Sequence, residues 1–452
     1  MALSLLSVEL VQEIAEHLKL PAQAALRTTC STLCAALDPF VFSTLTIYVG
    51  RGTLKRDLSR LRALAAGSTP YSQHARNLYI QEVTPFFWSS GSENDSEMEE
   101  EKESWRTGLQ EVLGPALNGL NGVQTVRWAG SSLDPEWVAD VVVDALTKWQ
   151  LRELVYESGM TETLPELDRI SGAALRRLSV SIPSKPDVDA RPLVTLLRNT
   201  PKLVSLSLSA PTDLDLDVLW RVLQTNSVHL VELSVTVVSL TLCDYLASYT
   251  GLERLVLPSV DASAVSRQLA GMFFERVLRH QSASIVELRL SPHYTSAWSF
   301  GTHNVDVLSS LAKLETLEIA VDPEYDDGRL TKNITLLLDM VPQLRALRTL
   351  DIETTMDECY RGQFICGNGM MGHYKAVERR MRAAFGRYRY RGGKNSSAEV
   401  HATHVPHGRS LRMVEADDAD GWVYAQFEGT WRVLQDRERC EVDSDDDSDD
   451  DY

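Results

Sequence analysis

Paired cysteines are missing from this chain. Its six cysteines, Cys30, Cys34, Cys243, Cys359, Cys366 and Cys440, are scattered over 452 residues, and none stands in a CxxC pair. That spacing argues against a zinc ribbon or finger, and so low a density argues against a disulfide framework. Several of them fall in apolar helical patterns, where a free thiol behaves as a small hydrophobe. No apolar run approaches the roughly 18 residues that span a bilayer. A basic leader is missing too, and Glu9 interrupts the first apolar stretch, so no signal peptide is expected. The expected location is intracellular, in cytoplasm or nucleus, with no membrane association.

Catalytic signatures are equally scarce. The chain has no Gly-rich phosphate loop, no nucleophile elbow and no zinc-protease motif. Cys34 and Cys243 sit in apolar helical patterns, poor settings for a thiolate. His401, His404 and His407 stand three apart in a Pro- and Gly-containing stretch, which could hold a metal only if the loop curled around it. No enzymatic role, cofactor or metal is expected.

Positive charge is in short supply. Lys and Arg number 45 against 63 Asp and Glu, a net charge of −18. Residues 92 to 103 carry a net −6 and residues 441 to 452 a net −8, leaving only −4 for the rest. Blocks of like charge with few apolar residues cannot offset chain entropy by burial. A disordered loop over about 89 to 104 and a disordered acidic tail over 441 to 452 are therefore expected. Ser92, Ser96, Ser444 and Ser448 each have an acid three residues downstream, the pattern favoured by acidophilic kinases, and are candidate phosphorylation sites. Both stretches can also be read simply as aids to solubility.

What is present begins with two amphipathic patterns. Leu10, Val11, Ile14 and Leu18 recur at helical spacing, with Glu9, Gln12, Glu13 and Glu16 on the other face. Ser7 suits the N-cap, Glu9 complements the helix dipole, and Pro21 stops the helix and opens a second one. In the second, Leu26, Cys30, Leu33 and Leu37 form a stripe that Asp38 and Pro39 end. Helices this short cannot bury enough apolar surface alone, so a surplus apolar face is expected.

Together with Phe42 to Leu45, these residues resemble an F-box over roughly residues 4 to 46. Ser7 stands where the family has Pro, and Ser31 and Thr32 where a basic pair often occurs. The resemblance implies docking on the Skp-type adaptor of a cullin-RING ubiquitin ligase through Leu6, Glu9, Leu10, Ile14, Leu18 and Leu26. The alternative is an ordinary helical hairpin packed on the domain that follows.

From residue 120 one short pattern recurs: apolar, two variable, apolar, one variable, apolar. Its copies start at Val123, Leu151, Leu175, Leu203, Leu230, Leu252, Ile285, Leu314 and Leu347, at spacings of 22 to 33 residues. Most gaps hold a helix-like stretch, such as Val138 to Trp149, Pro192 to Asn199, Val218 to Asn226, Ala264 to His280 and Ile334 to Val341. A strand alternating with a helix and repeated in order predicts an α/β solenoid with parallel inner strands and outer helices. The pattern resembles the irregular leucine-rich repeats that follow the F-box in many receptors, including divergent fungal F-box proteins. The Asn or Cys usual eight residues after each first apolar position is absent, so the turns must be satisfied otherwise. A less regular α/β domain is the alternative.

Strand side chains alternate, so the variable positions form the other face of the sheet. That face contains Arg127, Glu153, Arg177, Ser205, Ser207, Glu232, Arg254, Glu287, Arg289, Glu318 and Asp351. It is polar and mixed in sign, suited to a protein target held by hydrogen bonds and charge pairs.

Residues 49 to 119 read as a linker or first irregular repeat, residues 120 to 357 as the repeat array, and residues 358 to 440 as a cap that does not continue it. In that cap Arg379, Arg380, Arg382, Arg387, Arg389, Arg391 and Lys394 surround Phe385, Tyr388 and Tyr390. Such a mixture can track phosphates and stack bases, or can pair with the chain's own acidic stretches. The acidic chain as a whole would repel nucleic acid, which is not an expected partner. Trp422 to Phe427 and Trp431 to Leu434 read as a hairpin turning at Gly429.

These expectations add up to a substrate receptor, one copy in a hetero-complex with a Skp-type adaptor, a cullin scaffold and an unidentified protein substrate. The alternatives are a repeat scaffold without ligase association and an RNA-binding protein using residues 379 to 394.

Overall fold

The computed structural model describes residues 6–355 except 82, 85–94, 160, 162, 186–187, 212–213, 259, 261–263, 293 and 323–327. It also describes parts of 377–388 and the strand backbones within 399–426. The chain divides into two compact units, Met1–Leu230 and Val231–Tyr452.

The first unit opens with α1 (Val8–Glu16), α2 (Leu20–Arg27) and α3 (Ser31–Val41). Strand and helix then alternate: β1 (Thr44–Ile47), α4 (Leu54–Ala65), α5 (Tyr71–His74), β2 (Asn77–Ile80), α6 (Asp95–Asn118), β3 (Thr125–Ala129) and α7 (Glu136–Leu146). They continue with β4 (Glu153–Glu157), β5 (Arg177–Ser181), α8 (Arg191–Arg198), β6 (Ser205–Ser209) and α9 (Asp217–Thr225). All the strands of this unit are parallel and in one register: Leu45 pairs with Leu78, Leu78 with Val126, Val126 with Leu154, Leu154 with Leu178 and Leu178 with Leu206. These residues are buried, while their strand neighbours alternate outward.

The second unit contains β7 (Glu232–Val235), α10 (Leu240–Leu246), β8 (Arg254–Leu257) and α11 (Ala264–Met272), which runs on as a π-helical turn over Phe273–Leu278. Next come β9 (Glu287–Leu290), α12 (Val305–Ser309), β10 (Thr316–Val321), α13 (Arg329–Met340) and β11 (Thr349–Thr354). Here Leu233, Leu255, Leu288, Leu317 and Leu350 form the matching ladder. Phe273, Phe274 and Trp298 fill the space beside it, with the Trp298 indole N–H donating to the Ser266 hydroxyl at 2.8 Å.

Main-chain hydrogen bonds form a ladder of their own at the strand entries. The carbonyl just before a strand accepts two amide N–H groups from the next repeat: Ser43 from Arg76 and Asn77, Arg76 from Gln124 and Thr125, Gln124 from Arg152 and Glu153, and Arg152 from Arg176 and Arg177. The second unit does the same at Val231, Glu253, Val286 and Glu315. At the far end Asp322 and Thr355, two of the residues standing where Asn is usual, both bond the Thr295 hydroxyl, at 3.0 and 3.1 Å. Backbone polar groups are thus satisfied by backbone, as a buried turn requires.

Several expectations need correction. The repeat starts earlier than residue 120, because Phe42 to Ile47 and Ala75 to Ile80 carry the same pattern and form β1 and β2. Of the two readings of residues 49 to 119, linker or first irregular repeat, the described residues fit the repeat. The single second helix is two: the Thr28 and Thr29 hydroxyls fold back on the Ala25 and Leu26 carbonyls at 2.8 Å, and Cys30 is extended before α3 begins. Pro39 lies inside α3, where it removes one backbone hydrogen bond near the end of the helix; Phe42 still donates to Asp38 at 3.0 Å and closes the last turn.

The acidic stretch is helical from Asp95 rather than a loop. Glu is a good helix former, and acids at an N-terminus oppose the helix dipole favourably. Trp105, Leu109, Leu113, Ala116 and Leu117, all buried, anchor the rest of α6. Beyond the array, β12 (Glu399–Ala402) pairs parallel with β11, so the parallel order does continue past 358. The strand β13 (Arg409–Glu415) then runs antiparallel to β12 and to β14 (Trp422–Gln426). The expected hairpin shares its first strand with β14, whereas Gly429 and Trp431 to Leu434 lie outside the described residues, as does the tail 441–452.

Candidate functional site

The N-terminal helices pack around Val11, Ala15, Leu33, Ala36 and Leu37, with Leu6, Leu26, Cys30 and Phe40 partly buried against them. Ser7 caps α1 by accepting from the Leu10 amide at 3.5 Å. The hydrogen bonds of Glu9 to its own backbone and to Ser7 hold its carboxyl below the usual range. Gln23, buried, donates to the Ala15 and Leu18 carbonyls at 2.8 and 3.2 Å, closing the end of α1. Arg27 pairs with Asp38 and lies over the Phe42 ring, 4.7 Å from its centre.

This core uses only one side of α1. Leu10 and Ile14, one turn apart, remain 48% and 39% exposed, and Val8 and Leu20 are exposed as well. The expected adaptor-binding set therefore divides. Leu10, Ile14 and Glu9 face outward, whereas Leu6, Leu18 and Leu26 are half-buried, Leu6 and Leu26 against the helical core. Val8, in the first turn of α1, and Leu20, the first residue of α2, are not in that set; their exposure follows from the packing of Val11 and Ala15, which the sequence pattern alone does not single out.

The polar strand positions also lie where alternation puts them. In the first unit, Arg127 pairs with Glu157 on the next strand at 2.5 Å. Glu153, Ser205 and Ser207 are half-buried, and Arg177 is exposed. Glu232 stands beside Arg254 in the register of the second unit. There Arg254 Nε meets Glu287 Oε2 at 3.0 Å, Glu287 Oε1 meets Arg289 Nε at 2.5 Å, and Arg289 Nη1 meets Glu318 Oε2 at 3.2 Å. Ser291 donates to Glu318 at 2.6 Å. Four of the expected positions thus join in one line of alternating charge across β8, β9 and β10. Asp351 continues the row beside Glu318, and the neighbouring Glu353 has its carboxyl pushed up by burial and by the charges of Glu318 and Asp351.

Other candidate groups are placed less favourably. Cys243 is fully buried, and burial pushes its thiol up to about 12. Phe385 and Tyr388, read as base-stacking partners of the basic stretch, are buried, and the Tyr388 hydroxyl donates to Asp339 at 2.9 Å. Arg382, Arg387, Arg389, Tyr390, Arg391 and Lys394 lie outside the described residues, as do His404 and His407. Of the phosphorylation candidates, Ser96 falls in the first turn of α6; Ser92, Ser444 and Ser448 are outside the described residues. Among the described residues no helix is long and apolar enough to cross a membrane.

No protein-family model matches the chain, and no curated protein matches it. Among solved structures, a chain from the crystal structure of the Rad7 and Elc1 complex in yeast is 12% identical with a TM-score of 0.37, over 81% of this chain and 92% of that one. A likeness this slight assigns no function.

Proposed function

We propose that the chain is the substrate-recognition subunit of an SCF-type cullin-RING ubiquitin ligase. The N-terminal helices dock on a Skp-type adaptor, the polar strand faces hold a protein target, and the chain itself performs no chemistry. Ubiquitin transfer becomes effectively intramolecular once the target is held beside the ligase.

One observation carries this reading. α1 has a second apolar ridge, Leu10 and Ile14, that its own core leaves in water beside the buried Val11 and Ala15. Full burial of a wholly exposed side chain of this kind is worth roughly 1.5 to 3 kcal/mol, and with Leu10 48% and Ile14 39% exposed about half of that remains for a partner that covers both. The line of alternating charge from Arg254 to Glu318 offers both donors and acceptors to a polar peptide, which would supply specificity more than affinity.

The test is co-purification of the full chain with a Skp-type adaptor, beside a Leu10→Lys, Ile14→Lys double variant whose fold is checked by circular dichroism. A complex formed by the first and lost by the folded variant is the expected result. If the unaltered chain forms no complex at micromolar concentration, the ligase reading is wrong.

A further inference from the structure

In the first unit a pocket of about 640 Å³ opens at the strand-entry edge, beneath the turns leading into β3, β4, β5 and β6. Lys148, Arg152, Arg176 and Lys202 line it, and its lining contains no carboxylate. In a chain with a net charge of −18, four cations sharing one concavity without an acid are unexpected.

Arg152, Arg176 and Lys202 make no ion pair among the described residues, whereas Arg127, Arg254 and Arg289 on the strand face are each engaged with Glu. Lys148 is held by the Asn118 side-chain oxygen at 2.5 Å, a neutral partner that leaves its charge unbalanced. A fifth cation, Arg76, is bound to the Ala75 carbonyl at 3.3 Å and lies against Gly122 at the pocket wall. A Cβ at position 122 would fall 1.5 Å from its guanidinium nitrogen, so glycine there keeps the room Arg76 occupies.

The repeat geometry explains the clustering. Arg76, Arg152 and Arg176 are the residues immediately before β2, β4 and β5, and their carbonyls are the acceptors of the strand-entry ladder. Successive parallel strands lie about 4.8 Å apart, so residues fixed at that position form a row whose spacing the backbone sets. Trp149 supplies a rigid wall: it is buried, and its indole N–H donates to the Leu120 carbonyl at 2.7 Å. Gln124 and Gln150 add amide groups.

We propose that this pocket binds a small ligand carrying several phosphate groups. The two guanidinium forks suit phosphate oxygens bidentately, and the lysines add point charges. Four cations balance a charge beyond that of a single phosphate. The volume falls in the range of small-molecule sites rather than of an extended nucleic-acid groove, and the acidic chain would repel a long polyanion. This site is separate from the helices assigned to the adaptor.

Calorimetric titration of the full chain with inorganic tripolyphosphate near 0.15 M salt tests the proposal. Three variants accompany it: Arg152→Gln with Arg176→Gln, a control removing equal charge elsewhere (Arg279→Gln with Arg345→Gln), and a chain ending at residue 440. The expected result is saturable binding that the pocket variant weakens at least tenfold and the control leaves unchanged. Equal weakening by both variants, citrate binding as tightly as tripolyphosphate, or no binding by the full chain would each overturn it. Binding seen only after truncation would overturn it too, and would assign the pocket to the chain's own acidic segment.

Discussion

Gln281 and Tyr249 are joined across a buried turn of the second unit, with the Gln281 amide donating to the Tyr249 carbonyl at 2.6 Å. The same side chain donates to the Leu246 carbonyl at 2.9 Å and accepts from the Gly251 and Leu252 amides at 3.1 and 3.2 Å. One glutamine thus satisfies four backbone groups of the preceding repeat. Replacing it by Leu strands all four, each at a cost of about 1 kcal/mol or more. Gln281→Leu should lower the unfolding free energy by on the order of 4 kcal/mol, seen as an earlier urea midpoint at unchanged slope. A change under about 1 kcal/mol would mean that water replaces the glutamine.

Leu206 closes the first unit's ladder, paired in register with Leu178 and 1% exposed. Leu206→Ala should cost about 2 to 5 kcal/mol through lost burial and the remaining cavity. Because each repeat buries its ridge only against its neighbours, hydrogen exchange should speed up across β4 to β6 together. Loss of protection confined to β6 alone would argue against cooperative stacking.

Val11 and Leu10 are adjacent in the chain yet opposite in role. Leu10→Lys should leave stability within about 0.5 kcal/mol, as surface changes do, whereas Val11→Asp buries an unpaired charge and should unfold the N-terminal helices. Far-UV circular dichroism of the two full-length variants, read as the difference between them, would separate the two. Equal loss of helix in both variants would contradict the placement of the apolar ridge.

Glu353 binds its proton more tightly folded than unfolded, because burial and the charges of Glu318 and Asp351 raise it above its ordinary 4.5. Between those two values the folded chain holds the extra proton, so its stability falls as pH rises through that window, and the cost is complete above the folded value. Glu353→Gln should therefore be the more stable protein at pH 7, with the difference vanishing below about pH 4. Thermal melts at the two pH values decide it; an advantage that persists in acid would point to packing instead.

Cys243 should be silent to thiol reagents. Its thiol, fully buried and pushed up to about 12, stays protonated and covered at pH 8. In a variant retaining only this cysteine, labelling should track unfolding as urea is added. Rapid reaction in native buffer would place α10 in an opened state.

The parallel array was legible from Val123 onward because its apolar spacing admits few alternatives. Its first two strands were not. Phe42 to Ile47 overlaps the helical N-terminal pattern, and Ala75, small and weakly apolar, opens a copy 48 residues before the next. The acids of residues 95 to 103 hid the start of α6, since charge density argues for disorder while helix propensity and the buried Trp105 decide otherwise. Outward placement of Leu10 and Ile14 followed from surplus apolar surface, but only the packing of Val11 and Ala15 shows which ridge is spare. The cation-lined pocket left little trace in sequence, because Lys148, Arg152, Arg176 and Lys202 are spread over 55 residues and meet only through the repeat.

The strand-entry ladder also bears on how such a chain can change over time. Within each unit successive repeats are positioned by two hydrogen bonds to a single carbonyl of the predecessor, made by main chain alone. The side chain at that position and the number of residues between strands are therefore both free to vary, as the spacings of 22 to 48 residues already illustrate. Lineages can lengthen, shorten or recharge one repeat while its neighbours keep their register, which lets a rigid frame drift toward new ligands without refolding.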